Sequence, residues 1–162
     1  MKTDQILEIE YRFILPDENK ISFRFSFNRE TMLIDNYYPG DLPEWTKLDY
    51  HQCSHCPLLL VEHSHFPLAS QLVSIIKHFN EDMSYDTVHL EVLTERSNIN
   101  KTNALQDALG AILGLVIPTS GCPQTAFFRP MALYHLPLAG TDETFYRATS
   151  MYLLDQYFIK KN

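Results

Sequence analysis

The sequence predicts one α+β domain over residues 1–162, an antiparallel sheet of about four to six strands with three or four helices packed mainly on one face. Three observations predict it. Apolar and polar side chains alternate through residues 5–28, the period lengthens to that of a helix at Leu68, and it returns to two at 87–93 before a second helical stretch begins near 103. At 162 residues and 45% hydrophobic content, the chain can bury roughly 70% of its unfolded surface without a metal or disulfide. No internal repeat, low-complexity segment or linker divides it.

In the first stretch Leu7, Ile9, Tyr11, Phe13 and Leu15 alternate with Ile6, Glu8, Glu10, Arg12 and Ile14. After Pro16-Asp17-Glu18-Asn19-Lys20 the pattern resumes with Ile21, Phe23, Phe25 and Phe27, so a hairpin with one apolar face is expected. A short strand is predicted at 31–35. Two prolines and a glycine then mark a loop at 36–45, whose Tyr37, Tyr38 and Trp45 are expected to fold over the sheet rather than bind a partner. Residues 46–50 and 57–61 are predicted as paired strands with Cys53 and Cys56 at their tip.

Leu68, Leu72, Val73, Ile75, Ile76 and Phe79 share one face of a helix running to about 80, and Val88, Leu90 and Val92 line the inner side of a strand. Asn103 is the predicted cap of the next helix, with Gln106 at the capping-box position. Its apolar face is Leu105, Leu109, Ile112, Leu113 and Val116; Gly110 and Gly114 permit a close neighbour, and Pro118 is the expected stop. A short helix should reach His135. Thr141 begins the last one, through about 159, with Asp142 and Glu143 in the first turn, where they favour the helix dipole. From Met151 this helix is apolar on nearly every side, so burial on more than one face is expected, in the core or in a subunit interface. In the core, Leu154→Ala would cost about 2–5 kcal/mol.

Net charge is -7 and the 13 Lys and Arg are scattered. Binding to nucleic acid or to anionic membranes is therefore not expected, since both need clustered cations. The first residues hold neither a signal-length apolar run nor a small-residue cleavage site, and the apolar runs fall short of the roughly 18 residues of a spanning helix. Three cysteines suit no closed disulfide framework. The expected compartment is the cytoplasm.

Two cysteine turns carry the candidate chemistry: His51-Gln52-Cys53-Ser54-His55-Cys56-Pro57 and Thr119-Ser120-Gly121-Cys122-Pro123. Zinc takes four soft or borderline ligands in a tetrahedron, and Cys53, Cys56 and Cys122 with a histidine, His65 first among His51, His55 and His135, would supply them. Packed neutral thiols are the preferred reading of the same residues. A redox dithiol at Cys53 and Cys56, tuned by His55, is a third; Pro67 comes too early for the long helix such sites stand on. No nucleophile elbow, phosphate loop or carboxylate pair appears, so no enzymatic activity is expected. Arg129 is expected to pair with a carboxylate, Glu143 being the nearest candidate.

Cys53-x-x-Cys56-Pro57-Leu58, Thr119-Ser120-Gly121-Cys122-Pro123, Arg129-Pro130-Met131, His135-Leu136-Pro137 and Glu143-Thr144 together resemble a family of bacterial proteins known only as a domain of unknown function. The resemblance covers most of the chain and implies a small cytoplasmic protein with no assigned reaction. It also implies a further cysteine in relatives where this chain has Phe66, with His63 and His65 beside it as substitutes. The function expected is a non-enzymatic interaction or regulatory module, with a protein partner or a homo-oligomer. The alternative is a zinc-binding or thiol-redox protein built on Cys53, Cys56 and Cys122.

Overall fold

The computed structural model describes residues 6–35, 41–79 and 82–161. Strands β1 (Ile6–Ile14) and β2 (Lys20–Asn28) form the expected hairpin, in a register that sets Tyr11 opposite Phe23 and Ile9 opposite Phe25. Its turn follows from local chemistry. Pro16 supplies the fixed φ of a type I turn, Glu18 N donates to Leu15 O at 3.0 Å, and Glu18 then takes a left-handed φ of 67° that returns the chain to Asn19. Strand β3 (Thr87–Thr94) pairs with β1, and β4 (Asn98–Ala104) pairs with β3, giving an antiparallel sheet of order β2-β1-β3-β4.

With four helices, α1 (Pro67–Ile76), α2 (Leu105–Thr119), α3 (Arg129–Leu133) and α4 (Thr141–Lys161), the fold is α+β as predicted. The core lies between one sheet face and the helices: Tyr11, Phe13, Phe25, Phe27, Leu90 and Val92 meet Leu105, Ile112, Leu115 and Val116 of α2 and Ile75 of α1. The opposite face is polar, with Glu10 2.9 Å from Arg12 and 3.6 Å from Arg24. The hydrogen bond from Arg12 holds the Glu10 carboxyl below its usual range against a smaller opposing effect of desolvation.

Several expectations need correction. Residues 31–35 make only one bridge, Ile34 to Phe27, because Ile34 N turns to Thr119 O at 3.0 Å instead. Residues 46–50 and 57–61 are not strands. A 3-10 turn (Glu44–Thr46) opens a loop that closes on itself where Phe66 N donates to Thr46 O and Leu48 N to Ser64 O, and the fully buried Leu48 plugs it. The cysteine pair thus rides on an irregular loop. Tyr37 and Tyr38 lie outside the described residues, while Trp45 is 37% exposed.

Asn103 is no helix cap: it belongs to β4, and α2 starts directly behind that strand at Leu105 without a side-chain cap. Pro118 does not stop α2, which runs through it to Thr119. The stop is Gly121, whose φ of +91° is the left-handed conformation that ends helices, with Pro123 two residues on. Glu143 does not pair with Arg129; its Oε2 accepts from Gly140 N at 2.8 Å.

Candidate functional site

Three places stand out by their chemistry: the cysteine turns, a buried tyrosine and histidine, and the last helix. The turns do come side by side. Gln124 Nε2 donates to His55 O at 2.9 Å, which ties the loop of Cys53 and Cys56 to the segment of Cys122. Within the first turn Cys56 N donates to Cys53 O at 3.0 Å, and all three cysteines are free, Cys53 exposed and the others half-buried. His65 bonds its own neighbour, with Nδ1 2.9 Å from Ser64 Oγ. Among the described residues no three His, Cys, Asp or Glu side chains form a group that could hold a metal ion.

His135, also considered as a fourth ligand, has a different partner. Its Nε2 meets the hydroxyl of Tyr11, which in turn donates to Ala111 O at 3.3 Å. Tyr11 is fully buried, and a buried phenol requires a partner for its hydroxyl. Gly114 of α2 lies beside it, where a Cβ would stand in ordinary van der Waals contact, 3.5 Å from His135 Cε1. Burial, assisted by the Arg147 guanidinium, lowers the His135 pKa to about 4, and burial pushes Tyr11 well above 10. Both groups are neutral at pH 7, with no nucleophile between them. The pair anchors α3 to the sheet. Clefts of about 550 and 420 Å³ flank it, the first walled by Leu7, Phe27 and the Arg29–Glu95 ion pair, the second by Asn103, Gly110 and Arg147.

Arg147 joins this anchor to α4. It donates to the Tyr134 carbonyl and, at 3.2 Å, to that of Met131, so it satisfies free carbonyls where α3 ends. The rest of α4 stands away from the core. None of its residues is buried, and Phe145, Tyr146, Tyr152, Leu153, Leu154, Tyr157, Phe158 and Ile159 are each 58–73% exposed. Of the two placements left open for Leu154, the core is thus excluded: it is 58% exposed in the single chain. The side chains whose pattern signalled burial on several faces thus stand exposed in the single chain.

Sheet order and helix placement define an α+β protein with a four-stranded antiparallel sheet and a projecting terminal helix. The chain belongs to the family described as Domain of unknown function (DUF6901), which matches residues 9–162. No curated protein and no solved structure matches it. Among the described residues no single helix is long and apolar enough to cross a membrane.

Proposed function

We propose that this protein is a non-enzymatic interaction module whose working element is α4. One observation carries the reading: a 21-residue helix without a buried residue presents eight large apolar side chains to solvent. Single exposed apolar residues are ordinary, whereas eight large ones on one helix mark a surface that another molecule covers. The test is the size of the species that holds the untagged chain in extracts of the cells that make it. We expect a species larger than the 18.9 kDa chain, returning to monomer size when Leu153→Asp and Tyr157→Asp are introduced together. A wild-type chain found only at monomer size overturns the reading.

A second reading rests on the contact between Gln124 and His55, which sets the two cysteine turns side by side. In it Cys53, Cys56 and Cys122, with His65, act as a zinc or thiol site. Metal binding needs thiolates, so protons and chelators would both lower the melting temperature of a zinc form. Elemental analysis of untagged protein with thiol titration decides it: absence of metal together with three unreactive thiols removes this reading.

A further inference from the structure

We propose that the surface of α4 is covered by a second copy of the chain, with two α4 helices antiparallel about a two-fold axis near Met151 and Asp142 of each facing the partner's Lys160. The inference rests on the reading of α4 as a docking helix and adds the identity of the partner. The first argument is area. Five aromatic side chains of about 150–250 Å² each, roughly two-thirds exposed, together with three aliphatic ones present on the order of 900 Å². A standard interface takes about 800 Å² from each partner; these side chains stand around the whole helix, so about half of their area faces one partner helix, an interface of the small, concentration-dependent kind.

The second argument is charge. Helix α4 carries Asp142 and Glu143 in its first turn and Lys160 and Lys161 in its last. These charges suit the helix's own dipole, but they also lie in line: Asp142 and Lys160 are separated by about five full turns at 3.6 residues per turn. Between them on that line fall Tyr146, Thr149, Leu153 and Tyr157, at the spacings of three and four that a helix-on-helix seam uses. Arg147 and Met151, both half-buried, lie on the other side, toward the body of the protein. The apolar seam with opposite charges at its two ends is therefore turned outward.

An antiparallel pair centred on Met151 sets each residue opposite the one equally far from the centre on the other helix. Asp142 then meets the partner's Lys160, and Leu153 enters beside the small side chain of the partner's Thr149. A parallel pair would set Asp142 against Asp142 and Lys160 against Lys160, which like-charge repulsion disfavours. The arrangement is self-complementary and closes as a dimer.

Sedimentation equilibrium of the purified, untagged full-length chain over about 1 to 100 µM tests the proposal, because dimer stability depends on concentration. We expect twice the chain mass for the wild type and the chain mass for Leu153→Asp, with unchanged circular dichroism, since Leu153 is 60% exposed in the single chain. Asp142→Lys or Lys160→Asp alone should raise the dissociation constant about 5- to 10-fold at low salt, and the two together should return it to within about 2-fold of wild type. A monomeric wild type, a dimer indifferent to Leu153→Asp, or a double reversal no better than the single ones overturns the proposal. A chain that is monomeric when pure but larger in cell extract overturns the second copy while leaving the docking helix in place.

Discussion

Helix α2 buries eight of its 15 residues, whereas α4, with 21, buries none. Both are rich in large apolar side chains, and both follow an element that directs them. Helix α2 leaves β4 without a gap, so the strand lays it across the sheet, where Ile112, Leu115 and Val116 meet Tyr11, Leu90 and Val92. Helix α4 leaves a bend after α3 and is held near its start by Arg147, which spends its guanidinium on carbonyls of the α3 end. The difference teaches that an apolar helix states a need for cover, and that the connection before it decides whether the cover comes from its own chain.

The comparison breaks most directly under truncation. Ile112→Ala in α2 should cost about 2–5 kcal/mol of unfolding free energy, the range for a large side chain deleted from a packed core. Leu154→Ala in α4 should cost less than about 0.5 kcal/mol in the monomeric form, as for ordinary surface positions. Urea unfolding of a monomeric background such as Leu153→Asp measures both. Similar costs at the two positions would show that α4 is packed into the core after all.

Acid sharpens the comparison, because the link between the two helices contains His135, whose pKa burial depresses. His135 has a pKa of about 4 in the fold against about 6.5 when unfolded. The unfolded chain therefore binds more protons between these values, and stability falls as pH drops from 6.5 toward 4. At 1.36 kcal/mol per unit the loss is about 3 kcal/mol at most. It should be complete near pH 4 and absent above about 7. Thermal melting across that range, with His135→Gln as the comparison, measures it; an equally steep loss in the variant would place the acid sensitivity elsewhere.

The smallest effect concerns the two α2 glycines. A Cβ at Gly110 meets nothing within 4 Å, so Gly110→Ala should stabilise the protein by about 0.5–1 kcal/mol through helix propensity. At Gly114 the added Cβ stands at ordinary contact distance from His135, and we expect a gain of the same size. A shift in the midpoint of denaturant unfolding reads both, and a loss at Gly110 would show a neighbour packed against that turn.

Much of the fold was legible because it was written in short-range patterns. The hairpin, β3, α1 and α2 all combine a clear period with a boundary signal, and one buried face of each suffices to place it. Strand β4 was missed because Asn98-Ile99-Asn100-Lys101-Thr102-Asn103 has almost no apolar face: it is an edge strand held by backbone bonds to β3. The paired strands predicted around Cys53 failed for the opposite reason, since their apolar residues serve a closed loop plugged by Leu48. Gly121 followed by Pro123 was a readable helix end, overlooked in favour of Pro118, which a helix's last turn tolerates here.

By itself, then, the sequence determined the α+β class, the strand faces, the helix that carries Gly114 and the apolar character of α4, all consequences of side-chain period and chain length. The tertiary structure alone decided which residues far apart in the sequence meet. It set Tyr11 against His135 rather than His135 against the cysteines, joined His55 to Gln124, and left α4 outside the core. The physical reason is that period reports only that a side chain needs a partner. Which partner it finds depends on the direction each connection gives its element, and on whether a buried polar atom such as the Tyr11 hydroxyl can be satisfied there.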